Sequence, residues 1–409
     1  MTQGIEHGTT DLTILKALQK NFLGLPRAAT WTGLLSGLLI VFISTTGPIA
    51  ILFQAAAAGK LTTSQTNSWL FAVFLGSGIF GLLLTLRFGM PIIGSWAATT
   101  TALLVTGLVQ HSYADVIGAY FVASIILIAI GVSGLFGKIM GLIPHPVIMA
   151  MLAGILFNFG TKIFTATKIN PFLGISMIII FFIGRRLKLR ATIFFALIAG
   201  VLVAILQNKI TNPHVAFSVV KPEWTTPKFS FGIILTLVIP IVLMVMTTQN
   251  ATGISLLRAA KFTPPINQIV GLGGVLSLLG SGFGGAGVNI SAMTAVIAMS
   301  PDADPNPKTR YFAGVATALT YIAAAVFAGI FSTLFGSFPM ELTAVLAGLA
   351  LLPVIIASVS EAVEVPDYRE AAMVTFLITV SGVTGWGVGA PFWGLAAGIA
   401  LHRFNPLKK

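Results

Sequence analysis

The chain has 409 residues, of which 56% are hydrophobic and 8% are charged, and its formal net charge is +12. Soluble domains carry about 25% charged residues, so this composition indicates a polytopic membrane protein. The basic residues lie in short loops between apolar runs, which favours a topology signal over nucleic-acid binding. Because cysteine is absent from the sequence, disulfides, thiolate catalysis and cysteine metal sites are excluded.

A membrane-spanning helix needs about 20 apolar residues, and two sets of seven full or half spans can be read along the chain. Residues 1–30 are polar and are predicted to form a cytoplasmic tail. The first set of spans is predicted at 31–58, 64–86, 94–108, 113–138, 146–166, 171–184 and 191–207. After a polar, extracytoplasmic linker at 208–228, the second set is predicted at 229–257, 265–281, 289–300, 310–336, 340–359, 368–384 and 390–404.

The third predicted span begins with a segment that cannot form a regular helix. It reads FGMPIIGSWAATTTALL from Phe88, and Pro91 and Gly94 interrupt the helical pattern before Ser95, a residue type that caps helix starts. We therefore predict an extended segment that turns into a half-helix near Ser95. Broken backbone within a membrane is tolerated only where protein buries it or it lines a cavity.

The tenth predicted span repeats this arrangement. It reads FGGAGVNISAMTAVIAM from Phe283, and a shift of 195 residues aligns Phe283 with Phe88. Its glycines weaken a helix by about 1 kcal/mol each, and Asn289 and Ser291 are candidate caps for the half-helix that follows. Two interrupted segments at matching places in two halves indicate a transporter binding site.

The predicted fold class is an all-α polytopic membrane protein with 14 spans in two inverted repeats, at 31–207 and 229–404. An odd number of spans per repeat turns the second copy upside down, so the half-helices near Ser95 and Asn289 would meet at the membrane midplane. Each helix N-terminus carries about half a positive charge. The facing N-termini therefore predict a pocket for a small anion.

The distribution of basic residues supports this topology. With the N-terminus in the cytoplasm, 17 of the 23 lysines and arginines, including every arginine, fall on the cytoplasmic side. This sorting meets the positive-inside rule, and an even number of spans places the C-terminus in the cytoplasm as well.

Few residues within the predicted spans could perform chemistry. No carboxylate lies in either broken segment or in the 229–257 span, and no histidine lies at mid-span. The sequence therefore predicts no enzyme, no metal site and no cofactor. An uncharged polar cluster, Thr247 to Asn250, precedes the second broken segment and would serve either ligand contact or interhelical hydrogen bonds. Trp96, beside the predicted cap, is a candidate aromatic wall of the pocket or a packing residue.

Three stretches resemble the bacterial benzoate:proton symporter (BenE) family. They are TTQNATGISLLRAAKFTPP at 247–265, SGFGGAGVNISAMTAVIAMSPDADPNPKTRY at 281–311 and EAAMVTFLITVSGVTGWGVGAPFWGLAAG at 370–398. The resemblance covers most of the chain and implies an inner-membrane secondary transporter that takes up benzoate with a proton. More distantly, the chain is similar to the uracil and sulfate-type transporters, whose 7+7 inverted-repeat fold has a core domain and a gate domain that often dimerises.

On this resemblance, the core domain would comprise about 31–140 and 229–336, and the gate domain about 141–207 and 337–404. Nucleobase relatives hold their ligand with acidic residues in spans 8 and 10, where this chain has Gln249, Asn250 and the uncharged region around Asn289. The departure disfavours a nucleobase and fits an anionic ligand.

We therefore expect a proton symporter of the bacterial inner membrane that imports a small aromatic carboxylate, with benzoate as the first candidate. A nucleobase permease of the same fold and an anion channel are the alternatives. The expected partners are the substrate, a proton, the lipid bilayer and a second copy bound through the gate domain. Proton coupling is predicted through a peripheral carboxylate, with Glu341 near the start of the twelfth span as the first candidate, or through entry of the substrate as its neutral acid. The predicted substrate-binding residues are Gly94, Ser95, Trp96, Ala97, Thr248, Gln249, Asn250, Gly287, Asn289, Ile290 and Ser291.

Overall fold

The computed structural model describes residues 11–189, 191–210, 219–292, 294–386 and 388–404. These residues form helices and one two-stranded sheet. The elements before the polar linker are α1 (Asp11–Leu23), α2 (Leu25–Ala28), α3 (Trp31–Ala58), α4 (Thr63–Phe88), β1 (Gly94–Trp96), α5 (Ala98–Gln110), α6 (Tyr113–Ser133), α7 (Phe136–Leu142), α8 (His145–Ile169), α9 (Pro171–Arg186) and α10 (Thr192–Leu206).

The elements after the linker have the same general order. They are α11 (Phe231–Ala259), α12 (Ile266–Ser281), β2 (Val288–Ile290), α13 (Ala295–Met299), α14 (Tyr311–Val326), α15 (Ala328–Gly336), α16 (Met340–Glu364), α17 (Arg369–Ser381) and α18 (Ala390–Phe404). A short 3₁₀ turn, Pro366–Tyr368, leads into α17.

Six helices within the described residues are long and apolar enough to cross a membrane, namely α3, α4, α6, α8, α11 and α16. A seventh span is obtained if α14 and α15, which are bent by 65° at their junction, act as one. The helices α5, α10 and α12 are apolar but shorter. The chain is thus a helical membrane protein, and the count of 14 spans stays a prediction.

Several helix boundaries differ from those predicted. The expected half-helix at 289–300 is only the single turn α13, because residues 288–290 pair as strand β2 instead. The expected half-helix near Ser95 begins three residues later, at Ala98, because Gly94–Trp96 forms strand β1. Residues 113–138 are divided between α6 and α7, since Gly134 ends α6 in the left-handed conformation.

The two broken segments share a backbone feature as well as a sequence pattern. Gly89 ends α4 with φ of +63°, and Gly284, its counterpart under the 195-residue shift, has φ of +87°. Both positions have the left-handed conformation that glycine adopts without steric cost. A Cβ at Gly284 would also lie 2.3 Å from the Tyr113 hydroxyl, so glycine is required there for space as well as for conformation.

Strands β1 and β2 pair antiparallel, with Ser95 opposite Asn289. Backbone hydrogen bonds extend the pairing at both ends, from the Ser291 N–H to the Ile93 carbonyl at 2.8 Å and from the Ala97 N–H to the Gly287 carbonyl at 3.1 Å. The pairing satisfies backbone groups that neither segment could satisfy as an isolated extended chain. It fixes the start of α5 beside the segment that leads into α13.

The helices pack in two groups. Helix α4 packs on α14, α6 on α12 and α11, and α3 on α14, α5 and α13. In the other group, α8 packs on α16 and α17, α17 on α18, and α9 on α10. The two groups meet where α16 and α10 contact α3 and where α8 contacts α5.

Part of the predicted N-terminal tail is ordered against the first group. Helix α1 lies on α4, and the Asn21 side chain donates to the Leu86 carbonyl at 2.7 Å. The Tyr311 hydroxyl in turn donates to the Asn21 carbonyl at 3.0 Å. These hydrogen bonds tie the end of α1 to α4 and to the start of α14.

Candidate functional site

A cavity of about 390 Å³ lies between the two helix groups, next to strand β1. Its volume is within the range of ligand pockets, about 300–1,000 Å³. The first group contributes Ile43, Ser44, Gly47, Pro48, Ile51, Ser95, Trp96, Ala98, Thr99, Gln249, Ser291, Thr294 and Ile297. The second group contributes Phe181, Arg185, Thr192, Ile193, Leu349, Ala350, Leu351, Pro353 and Val354.

Hydroxyl groups from both broken regions line the cavity. The Thr294 hydroxyl is within hydrogen-bond distance of Ser44 on α3, at 2.9 Å, and of Ser291, at 2.8 Å. This chain of hydroxyls joins α3 to the segment between β2 and α13. Each hydroxyl can act as donor or acceptor, so the chain can reorient to donate toward a ligand.

Other buried donors beside the cavity have no protein partner among the described residues. Thr99 Oγ1 and Trp96 Nε1, both on the cavity lining, are buried and unpaired. The Tyr321 hydroxyl faces Ser44 and Ser95 but does not meet hydrogen-bond geometry with either. A buried polar group without a partner costs about 1–3 kcal/mol, so three such donors in one place fit a ligand that accepts hydrogen bonds.

The Trp96 ring is held by other aromatic rings rather than by polar contacts. Its centroid lies 5.3 Å from that of Phe74 and 6.2 Å from that of Tyr321. Such tilted and edge-on contacts are favourable arrangements of aromatic rings. They keep the indole against the cavity, where the sequence placed it as a candidate aromatic wall.

The start of α5 adds further donors to the site. Its N-cap residue, Ala97, offers no side chain to the free N–H groups of the first turn, and Ala98 and Thr99 of that turn line the cavity. The partial positive charge at the start of this 13-residue helix favours an anion. The one-turn helix α13 is too short to contribute a comparable dipole, which differs from the expectation of two equivalent half-helices.

The remaining lining is apolar apart from Thr192, Gln249 and one cation. Arg185 is the one charged residue that the described part of the chain contributes to the lining, and no carboxylate is among those residues. No cluster of histidine, aspartate or glutamate able to hold a metal occurs within the described residues. Apolar residues of α10 and α16, such as Ile193 and Leu349, face the polar side across the cavity.

The structure brings four of the residues predicted to bind substrate to the cavity, namely Ser95, Trp96, Gln249 and Ser291. Gly94 lies behind them, where a Cβ would approach the Ser77 carbonyl oxygen to 2.0 Å. Gly287 has φ of +73° and accepts the Ala97 N–H. Ile290 packs against Gly253 of α11. These residues shape the broken segments rather than line the cavity.

The other predicted residues lie away from the lining. Thr248 donates its hydroxyl to the Met244 carbonyl at 2.7 Å, one turn earlier on α11. Asn289 is fully buried, and its amide donates to the Gly287 carbonyl. Asn250 is also buried. Glu341, in the first turn of α16, is partly exposed and outside the cavity lining.

A π-helical stretch in α11 contains both Gln249 and Asn250, whose side chains have different surroundings. Residues Val245–Ala251 form wider turns than an α-helix, and such turns are frequent at functional sites. Gln249 is directed to the cavity and makes no side-chain hydrogen bond within the described chain, whereas Asn250 is enclosed by protein.

Sequence reasoning did not identify Ser44, Thr99, Thr294 or Tyr321. Thr99 follows the predicted cap Ser95 by one helical turn, and Ser44 precedes the Thr45-Thr46 pair that recurs as Thr247-Thr248. These two positions carried a local signal. Thr294 aligns with Thr99 under the 195-residue shift and so carried a signal as well, whereas Tyr321 carried none, because only packing brings α14 against β1.

A family model described as benzoate membrane transport protein matches residues 28–404 of the chain. The chain is 34% identical over 390 residues to a benzoate membrane transport protein of Acinetobacter baylyi, covering 95% of this chain and 97% of that protein. It is 36% identical over 365 residues to the inner membrane protein YdcO of Escherichia coli, covering 89% of this chain and 93% of that protein.

Two solved structures show a similar fold at low sequence identity. The murine Slc26a9 anion transporter in its inward-facing state superimposes with a TM-score of 0.62 at 13% identity, covering 98% of this chain and 72% of that one. The transmembrane domain of the cyanobacterial bicarbonate transporter BicA gives 0.58 at 16% identity, covering 90% of this chain and 97% of that one.

Proposed function

Because the chain belongs to the benzoate membrane transport protein family, we propose that it is a secondary transporter that imports benzoate by proton symport. Family membership confirms the prediction of a membrane transporter rather than an enzyme. The observation that carries the choice of substrate is the cavity, which combines unpaired hydrogen-bond donors with an apolar wall and has no carboxylate among its described lining residues.

In this proposal, the substrate carboxylate lies at the start of α5. It accepts hydrogen bonds from Ser95, Thr99 and the first-turn N–H groups, with Tyr321 alongside. The aromatic ring extends toward Ile193 and Leu349 of the second helix group. The described lining residues include no acidic side chain, which supports an anion over a neutral nucleobase, since a carboxylate there would repel an anionic substrate.

The proposal includes the topology that the sequence predicts. The chain would form 14 spans in two inverted repeats, with both termini in the cytoplasm and the broken segments meeting at the midplane of the bacterial inner membrane. The two helix groups support a core domain that moves against a gate domain, and the gate domain would hold a second copy in a homodimer.

Uptake and binding assays test this function. Purified protein in proteoliposomes is expected to accumulate labelled benzoate when an inward proton gradient is imposed, and a protonophore is expected to abolish accumulation. Unlabelled substituted benzoates should compete, and uracil and sulfate should not. Competition by uracil would favour the nucleobase alternative, and a benzoate conductance that survives the protonophore would favour the channel.

Gln249 and Asn250 provide a matched pair of substitutions. Gln249→Ala is expected to raise the dissociation constant for benzoate about tenfold, because a hydrogen bond to a charged group contributes about 1.5–3 kcal/mol. Asn250→Ala, at a buried position outside the lining, is expected to lower thermal stability and leave affinity within about threefold of wild type. Equilibrium binding and thermal unfolding in detergent measure both, and equal losses of affinity in the two variants would contradict the assignment of Gln249.

Glu341 stays the predicted proton carrier. Glu341→Gln is expected to reduce accumulation driven by a proton gradient while benzoate still binds, since the amide cannot release a proton. A benzoate-like acid titrates near pH 4, so little substrate enters as its neutral form at neutral pH. Uptake at several external pH values, compared with binding in detergent, measures the effect. Wild-type pH dependence in this variant would remove Glu341 from the mechanism.

A further inference from the structure

A second, smaller pocket of about 90 Å³ lies at the other end of the interface between the helix groups. It is bounded by α5, α8, α11 and the loop between α17 and α18. Its rim is polar and exposed, with Thr106, Gln110 and Asn158. Its floor is apolar and closed, since Leu103 is 2% exposed and Leu237 is fully buried. The pocket is therefore a shallow depression above a sealed floor.

One face of α5 connects this pocket to the substrate cavity. Thr99 lines the large cavity, and Leu103, Thr106, Gly107 and Gln110 line the small pocket. These positions follow at intervals of three and four residues, which places them on one side of the helix. The two spaces are thus separated along α5 by a single helical turn, between Thr99 and Leu103.

The two pockets use corresponding elements of the two halves. The large cavity is lined by α3, α9, α10, α16 and the segment around α13, and the small pocket by α8, α17 and α18, while α5 and α11 contribute to both. The Thr-Thr pair at 45–46 and 247–248 relates α3 to α11, and the 195-residue shift relates α5 to α13. The tripeptide Leu-Ala-Gly, at 152–154 and 346–348, relates α8 to α16. The small pocket is therefore the counterpart of the large cavity in the other half of the chain, one helical turn farther along α5.

The exposed Asn158 amide indicates that the rim of the small pocket faces water rather than lipid. It is exposed in the middle of α8, an apolar helix of 25 residues, and its side chain forms no hydrogen bond within the described chain. An exposed amide facing hydrocarbon would lose its hydrogen bonds to water at a cost of several kcal/mol. Facing a depression that opens to solvent, it keeps them.

A hydrogen bond between the helix groups closes one side of the pocket. The Gly389 N–H, at the start of α18, donates to the Thr236 hydroxyl on α11 at 3.0 Å. A Cβ at Gly389 would lie 2.8 Å from Thr236 Cγ2, so the Gly389 backbone is in close contact with the Thr236 side chain. The contact joins the group that carries α5 to the group that carries α8.

We propose that the small pocket is the closed entrance by which substrate reaches the cavity from the end remote from Arg185, and that the Thr236–Gly389 contact holds it closed. The inference rests on the proposed transport function. In the orientation proposed above, this entrance faces the extracytoplasmic side. Substrate would pass along the α5 face when α11 and α18 separate and the seal at Leu103 opens.

An engineered disulfide tests the Thr236–Gly389 contact. Because the chain has no native cysteine, the introduced cysteines can pair only with each other within the chain. In the double variant Thr236→Cys/Gly389→Cys, the two positions are close enough for a disulfide. The oxidised variant, verified by mass, is expected to lose at least about tenfold in benzoate uptake and to keep benzoate binding in detergent, because the cavity on the other side stays open. Reduction by dithiothreitol should restore uptake, and each single variant should be insensitive to oxidation.

The outcomes separate this inference from the function on which it rests. Normal uptake by the oxidised variant, beside a wild type that transports benzoate, would overturn the closed entrance alone. A wild type that neither binds nor takes up benzoate would overturn the proposed function and the entrance with it.

Chemical labelling gives a second test that does not need the disulfide to form. In cells, a membrane-impermeant thiol reagent should modify Gln110→Cys at the rim rapidly, and Leu103→Cys at the floor at least about tenfold more slowly. Saturating benzoate should change the rate at Leu103→Cys and leave the rate at Gln110→Cys unchanged. A Leu103→Cys variant that takes up benzoate yet never reacts would show that the route does not pass this floor.

Discussion

Replacing Ser95 by aspartate is expected to weaken benzoate binding at neutral pH by about a hundredfold or more. Ser95 lines the cavity beside the start of α5, where the substrate carboxylate is proposed to lie. Two carboxylates about 5 Å apart repel each other by about 3 kcal/mol at an effective dielectric constant near 20.

Ser95→Asn is the matched control, since asparagine has nearly the same shape and no charge. We expect Ser95→Asn to lose about tenfold at most in affinity, so the difference between the two variants isolates the charge. Binding to Ser95→Asp should partly return as the pH falls from 7 toward 5, because the nearby anion raises the pKa of the introduced carboxyl and protonation removes the repulsion. Equal affinities of the two variants at pH 7 would show that the substrate carboxylate lies elsewhere.

Replacing Arg310 by glutamine is expected to destabilise the protein by about 3 kcal/mol or more. Arg310 is buried, and its guanidinium donates to the backbone carbonyls of Asp304 at 2.7 Å, Met299 at 2.9 Å and Pro305 at 3.4 Å. Hydrogen bonds to a charged group contribute about 1.5–3 kcal/mol each, and their loss leaves buried acceptors without partners. Glutamine reaches one of these carbonyls at most.

The destabilisation caused by Arg310→Gln should extend to the substrate site. Met299 is the last residue of α13, and the cavity residue Thr294 is the N-cap of the same helix. Benzoate affinity is therefore expected to fall along with the temperature of unfolding. Arg258→Gln, at an exposed position in the last turn of α11, is the matched control and should change neither. Arg310→Lys should be nearly as unstable as Arg310→Gln, since an ammonium group cannot reproduce the planar, forked set of N–H donors of the guanidinium. Unfolding of Arg310→Gln at the temperature of Arg258→Gln would contradict this role.

The broken segments show which structural features can be predicted from local sequence. Glycine, proline and cap residues predicted both interruptions, because these residues act on their own backbone. These residues did not predict the length of the second half-helix. The run from Asn289 to Met299 has the composition of a helix, yet β1 provides Val288–Ile290 with a strand partner from the other half of the chain. That partner decides the conformation of these residues.

The polar cluster illustrates the same limit within the site. The sequence identified Thr248, Gln249 and Asn250 as polar groups that needed partners, but adjacent residues on a helix point in different directions. The π-helical stretch directs Gln249 to the cavity and leaves Asn250 enclosed. Asn289 lies opposite Ser95 in the strand pair, but its amide turns back to the Gly287 carbonyl instead of lining the cavity.

The sequence by itself determined the membrane-transporter class and the family. Composition and motifs are sufficient for these conclusions. Only the tertiary structure decided which donors converge on the cavity. Ser44, Thr99 and Tyr321 come from α3, α5 and α14, and their meeting depends on how distant helices pack. A side chain that is ordinary in its own helix becomes an unpaired donor only when another helix removes it from water.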